Sequence, residues 1–151
     1  MSVQLVTVEG NIGSGKSTIA RHAANYMPNT RFFSAPDPQK NPHWAAFQSE
    51  PKKHALAMQC WYLRDRLRVY VAALRHMESE RQSVIIDFSL WSDIIFAFKH
   101  RESGFLTAKE FDEYLGLWRD VCCLNLPPPH LSIVLRAQVC VCLHRVEMSA
   151  T

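Results

Sequence analysis

No stretch of the 151-residue sequence approaches the roughly 20 consecutive apolar residues that cross a bilayer, so no membrane partner is expected. Blocks of like charge are missing too. Lys and Arg are scattered and the net charge is only +3, too little for a platform that binds a nucleic acid polymer. The five cysteines, Cys60, Cys122, Cys123, Cys140 and Cys142, contain no CxxC pair and do not form an even set. The chain also opens without a signal-peptide pattern. Reduced thiols in a cytoplasmic compartment are therefore expected, with a mitochondrial one left open. The adjacent Cys122 and Cys123 have no His or Cys at ligand spacing and read as buried helical packing rather than as a redox or metal feature. Internal repeats and low-complexity tracts are absent.

What remains is an ordinary globular composition, 48% hydrophobic and 21% charged, at a length that fits one domain. Apolar runs alternate with helical stretches. Val3, Leu5, Val6 and Val8 read as a first strand, followed by a helix over Thr18 to Tyr26 that ends at Pro28. Arg31 to Ser34 reads as a second strand, and Ala35 to Pro42 as a proline-rich loop. A long helix is predicted over Lys52 to Ser79, with Leu56, Cys60, Leu63, Leu67, Val71 and Leu74 on its apolar face. Val84 to Ile86 is a third strand ended by Asp87. Leu90 to Glu102 is a helix stopped at Gly104, a residue suited to a left-handed end position. Thr107 and Glu110 form a capping box for a helix with Phe111, Tyr114, Leu115 and Trp118 on its apolar side. After Pro127 to Pro129 come a fourth strand, Leu131 to Leu135, and a last helix, Gln138 to Glu147. This alternation predicts an α/β fold, a parallel sheet flanked by helices, with ligands at the carboxyl ends of the strands.

The most specific feature lies between the first strand and the first helix. Gly10, Asn11, Ile12, Gly13, Ser14, Gly15, Lys16 and Ser17 make a complete phosphate-binding loop. A polyphosphate needs many donors at close range, and glycines keep Cβ atoms out of their way. The loop amides form a nest, the following helix turns its positive end to the anion, and Lys16 reaches the terminal phosphates. Ser17 is placed to ligate Mg²⁺. Phosphoryl transfer also needs a carboxylate near the acceptor hydroxyl and another near the metal. Asp37 and Asp87 each follow a strand. By position alone Asp37 is either such a base or a turn residue, and Asp87 either a magnesium-shell carboxylate or a helix cap.

Together these residues resemble the deoxyribonucleoside kinases, enzymes that move the γ-phosphate of ATP to the 5′-hydroxyl of a deoxynucleoside. The resemblance runs essentially end to end. Glu9 to Thr18 is close to the family's own version of the loop, and Pro36-Asp37-Pro38 with Trp44 is similar to the stretch that holds its general base. Glu50 to Lys53, Gln59 and Arg66 resemble the helix that reads the nucleobase. Ile86 to Ser89, Trp91 to Asp93 and Phe96-Ala97 resemble the family's acidic-Arg-Ser stretch and its continuation. Leu135 to Ala137 and Cys142 to Arg145 resemble the fourth strand and the helix that leads into a lid. The resemblance implies ATP and Mg²⁺, with Asp37 as base, Lys16 and Asp87 in catalysis, and Ser17 and Asp87 at the metal. It makes Gly10 to Thr18 the nucleotide loop, Gln59 a bidentate reader of the base and Trp44 an apolar wall. Arg66 and Asp93 place the chain with the branch that accepts deoxycytidine and purine deoxynucleosides. Without the resemblance, Gln59 reads as a solvated helix glutamine, Arg66 as an exposed helix charge and Asp93 as a helix-start charge. A homodimer packed through the long helix is implied as well.

Two departures qualify these expectations. Phe88 stands where the family has an arginine, and phenylalanine neither donates a hydrogen bond nor neutralises charge. After Arg145 the sequence reads Val-Glu-Met-Ser-Ala-Thr where the family has its arginine-rich lid and a fifth strand, so the domain, residues 1–151, is expected to be incomplete at its C-terminus. A non-catalytic nucleotide-binding or partner-binding relative is the competing expectation, and a nucleoside monophosphate kinase a further one.

Overall fold

A computed structural model describes residues 3–149 of the chain. Ala150 and Thr151, the end of the stretch that stands where the family has its lid, lie outside the described residues. Two compact units are present, one made of residues up to Ala35, Val71–Ser89 and from Pro128 onward, the other of Pro36–Tyr70 and Leu90–Pro127.

The first unit carries the sheet. Strands β1 (Leu5–Gly10), β2 (Thr30–Phe33), β3 (Ser83–Ile86) and β4 (Leu131–Leu135) lie in the order β2-β3-β1-β4. All pairings are parallel, with Val6 opposite Ile85 and Leu131, and Phe32 opposite Ile85. The expected α/β fold with a four-stranded parallel sheet is therefore what forms. Strand β1 is central, and Leu5, Val6 and Val8 are buried as expected for a strand covered on both faces. Its start is bracketed by His130, whose backbone N–H donates to the Leu5 carbonyl at 2.8 Å while its Nδ1 accepts from the Leu5 N–H at 2.9 Å. Helix α1 (Lys16–Tyr26) packs Ala20 and Ala24 against Val6, Val8 and Ile85, and Ile133 and Leu135 of β4 join that cluster. It begins two residues earlier than predicted, because Gly15 at φ 96° ends the loop directly at Lys16.

Helix α2 (Trp44–Ser49) was not foreseen. Six residues are too few for a periodic pattern. Its Phe47 nevertheless anchors the second unit, edge-on to Phe105 and His100. Helix α3 (Pro51–Glu80) starts with a proline, which suits a first helical position. It runs through both units, residues 51–70 in the second and 71–80 in the first. The predicted apolar face is corrected here. Leu63 is buried, but Leu56, Cys60, Leu67, Val71 and Leu74 are only half-buried. The inward residues are Ala55, Met58, Gln59, Leu63, Tyr70 and Ala73. Helix α4 (Asp93–Glu102) starts at Asp93 rather than Leu90, which puts a carboxylate at the positive end of the helix. Gly104 takes φ 69° just beyond it, as expected. Helix α5 (Ala108–Cys122) has the full capping box: Thr107 Oγ1 accepts from the Glu110 N–H at 3.2 Å and Glu110 Oε2 from the Thr107 N–H at 2.8 Å. Cys122 is half-buried but Cys123 is exposed, so the pair is not the buried packing expected; it falls where α5 ends and the chain turns to solvent. Helix α6 (Val139–Ser149) closes the described chain. Among the described residues no helix is long and apolar enough to cross a membrane.

The second unit has its own core, Ala55, Leu63, Ala97, Leu106 and Tyr114. Burial in it holds the His100 imidazole below its ordinary 6.5, against the upward pull of the Asp93 charge. The unfolded chain then binds the proton first as pH falls. The ring's contribution to stability is complete above pH 6.5 and is lost as pH drops through the depressed folded value. Melting temperatures between pH 7 and pH 5 should therefore fall, and His100→Phe, which keeps a ring against Phe47 and Phe105, should fall less steeply.

Candidate nucleotide site

The phosphate loop grows out of the carboxyl end of β1. Gly10, Gly13 and Gly15 all have positive φ, at 145°, 77° and 96°, conformations that L side chains rarely adopt. At Gly13 a Cβ would sit 2.4 Å from the carbonyl oxygen of Cys142, so the loop is pressed against the backbone of α6. A Cβ on Gly10 would meet the Leu135 carbonyl oxygen at 2.6 Å. The turn is held by the Ser14 N–H donating to the Asn11 carbonyl at 3.1 Å. Lys16 Nζ donates to that same carbonyl at 2.8 Å, which keeps the ammonium at the loop.

Two observations fit this loop to a polyphosphate. Ser14 Oγ is buried with no hydrogen-bond partner among the described residues. No side chain caps α1, so its first amides remain open to an anion. Ser17 and Thr18 are exposed in the first turn of α1.

One cation here escaped the sequence reading. Arg145 of α6 donates from Nη1 to the carbonyls of Gly13 and Ser14, at 3.2 and 3.3 Å. In sequence it is one residue of the helix that resembles the lead-in to a lid; its place at the loop depends on a contact 132 residues away. Asp87, at the end of β3, is 2% exposed, and its Oδ1 accepts from the Ala35 N–H at the end of β2. It joins two strand ends rather than capping a helix. Next to it Phe88 is 4% exposed, so apolar bulk is buried where the resemblance has an arginine.

The other predicted residues all belong to the second unit. Asp37 is exposed and its Oδ1 accepts from the Gln39 N–H at 3.0 Å, capping a short 3-10 turn, Pro38–Lys40. Trp44 is half-buried at the start of α2, 6.1 Å from the Phe47 ring. Asn41, which the sequence did not flag, is buried and ties this segment to α3 through Nδ2, which donates to the Met58 carbonyl at 3.2 Å. Tyr62 reports the local charges. Burial raises its phenol, the Arg66 guanidinium and a hydrogen bond with Asn41 lower it, and the Asp37 carboxylate raises it again. Asp37 and Arg66 thus act on one side chain.

Gln59, Arg66 and Asp93 come together completely. Gln59 is 2% exposed and the Arg66 side chain 14%, which overturns the solvated and exposed readings of these two, while Asp93 does start α4 but is 0% exposed. Gln59 Nε2 donates to Asp93 Oδ2 at 3.0 Å, and Arg66 Nη1 pairs with Asp93 Oδ1 at 2.6 Å. Arg66 also lies over the Phe96 ring, 5.3 Å from its centroid. Tyr114 completes the group, its hydroxyl donating to Asp93 Oδ2 at 2.5 Å. At Oδ1 Asp93 meets Arg66 by charge, with no aligned hydrogen bond among the described residues.

A parallel sheet with a glycine-cradled loop at the end of its central strand is the phosphate-loop α/β fold. The deoxynucleoside kinase family model matches residues 6–150, and the chain belongs to that family. It is 33% identical to a deoxyguanosine kinase of Dictyostelium discoideum over 144 residues, covering 95% of this chain and 50% of the relative. It is also 30% identical to the bovine (Bos taurus) NADH dehydrogenase (ubiquinone) 1 alpha subcomplex subunit 10, mitochondrial, over 83% of this chain and 42% of that protein. The chain thus spans about half the length of the curated relatives it matches. A deoxyadenosine kinase from M. mycoides, solved with bound dATP, shares the fold with a TM-score of 0.79 at 20% identity, covering 97% of this chain and 72% of that one.

Proposed function

We propose that the chain binds Mg²⁺-ATP at the Gly10 to Thr18 loop and transfers its γ-phosphate to the 5′-hydroxyl of a deoxynucleoside, deoxycytidine or a purine deoxynucleoside. The observation that carries this reading is the buried Gln59-Asp93-Arg66 cluster. A phosphate loop serves many reactions, but a buried amide backed by an ion pair suits recognition of a base edge. In this reading the loop amides and Lys16 hold the phosphates, and Arg145 adds positive charge beside them. Ser17 and Asp87 would hold Mg²⁺, which when bound neutralises charge on the transferring phosphate. Asp37 would take the proton of the acceptor hydroxyl, and Trp44 would wall the nucleoside. The dATP bound to the M. mycoides enzyme supports the nucleotide side of the proposal. The homodimer remains part of it, with Leu67, Val71 and Leu74 of α3 as the candidate apolar surface.

Phe88 sets the expected rate. A missing preorganised cation at a transferring phosphate costs roughly 10² to 10³ in turnover. The same residue favours a second reading, a relative that binds nucleotide or a partner without turnover, and similarity to an NADH dehydrogenase subunit supports it. Formation of deoxynucleoside 5′-monophosphate from ATP, with Lys16→Ala as control, separates the two.

A further inference from the structure

Tyr114 reads from the sequence as one more apolar residue of α5, and its ring does lie in the core of the second unit. Its hydroxyl has a different task. It donates to Asp93 Oδ2, the same oxygen that accepts from Gln59 Nε2. Gln59 Nε2 also lies 3.4 Å from the Asp93 backbone carbonyl, so two oxygens of one residue draw the donor end of the amide.

A glutamine amide has a donor end and an acceptor end of nearly equal shape, and a half-turn exchanges them. The orientation decides which base edge fits. Cytosine and adenine pair a ring-nitrogen acceptor with an amino donor; thymine and hypoxanthine offer the opposite pattern. A turned Gln59 would set Oε1 against a carboxylate oxygen, and the two would repel. That penalty lasts only while Asp93 holds still. Arg66 fixes Oδ1, with a geometry short of an aligned hydrogen bond, and Tyr114 fixes Oδ2. Burial pushes the Tyr114 hydroxyl far above its usual 10 and the Asp93 charge adds to this, so it remains a donor at any ordinary pH.

We propose that Tyr114 is a specificity-determining positioning residue: by clamping Asp93 Oδ2 it locks the Gln59 amide in one orientation and so selects one class of base edge. This rests on the reading of the cluster as a deoxynucleoside site. Removing the hydroxyl frees the carboxylate to rotate and the amide to turn. Both edge classes then become acceptable.

The experiment measures dissociation constants on the full chain, wild type and Tyr114→Phe, for two matched pairs, deoxycytidine with thymidine and deoxyadenosine with deoxyinosine. Within each pair size is nearly constant and the edge pattern reverses. A mismatched buried donor or acceptor is worth roughly tenfold to a hundredfold, so wild type should prefer one member by that factor, and Tyr114→Phe should lose about tenfold of the preference. A uniform loss across all four ligands with both ratios preserved is what a purely structural tyrosine gives, and it overturns the proposal while the nucleoside reading stands. Wild type that binds none of the four overturns both. If Tyr114→Phe does not fold, the two ratios in wild type carry the test: a preference of about tenfold or more for the same edge class in both pairs supports the lock, and equal binding within each pair overturns it.

Discussion

Asp93→Ala should destabilise the protein by about 3 to 5 kcal/mol, the cost of removing one partner from a buried ion pair. The carboxylate is fully buried and answers three groups at once: Arg66, Gln59 and Tyr114. Without it the Arg66 guanidinium, whose side chain is only 14% exposed, loses the Asp93 carboxylate. The Gln59 amide and the Tyr114 hydroxyl lose their acceptor at the same time. Urea unfolding of Asp93→Ala and of Asp93→Ala with Arg66→Met gives the decisive comparison. The double variant should recover part of the loss, because a buried charge without its counterion costs more than an apolar pair of similar size. Equal stability of the single and double variants would mean that Arg66 reaches water when released.

Gly13→Ala should abolish ATP-induced stabilisation. Two independent penalties meet at this residue. A φ of 77° costs an L side chain roughly 1 to 2 kcal/mol, and the added Cβ would sit 2.4 Å from the Cys142 carbonyl oxygen, a backbone atom that yields only if α6 moves. Movement of α6 also withdraws Arg145 from the Gly13 and Ser14 carbonyls. The rise in melting temperature with Mg²⁺-ATP reads the effect: present in wild type, gone in Gly13→Ala. Gly104→Ala is the control, since its Cβ would meet nothing within 4 Å and only the φ penalty applies. It should bind ATP normally.

The glycine cradle from Gly10 to Ser17 was legible because it is written in consecutive residues at a fixed spacing. The four strands and the capping box at Thr107 were legible for the same reason, each resting on a pattern a few residues long. Helix α3 shows where that ends. The sequence favoured the stripe richest in hydrophobic residues, Leu56 to Leu74, whereas the buried stripe carries Gln59. Periodicity counts apolar residues and cannot see that a carboxylate on α4, 34 residues away, will pay for burying an amide. Tyr114 and Arg145 were missed on similar grounds. The first passes for core until its hydroxyl meets Asp93, and the second passes for a surface helix charge until the fold lays α6 against the loop.

In the proposed function the Gly10 to Thr18 loop holds the phosphates and the Gln59-Asp93-Arg66 cluster reads the base. Transfer of the γ-phosphate from labelled ATP to deoxycytidine and to each purine deoxynucleoside, in wild type and in Lys16→Ala, tests this most directly. The account predicts slow but definite formation of a 5′-monophosphate in wild type and none above background in Lys16→Ala. Equal signals in the two proteins, with wild type still stabilised by Mg²⁺-ATP, would contradict it and leave a nucleotide-binding relative without turnover.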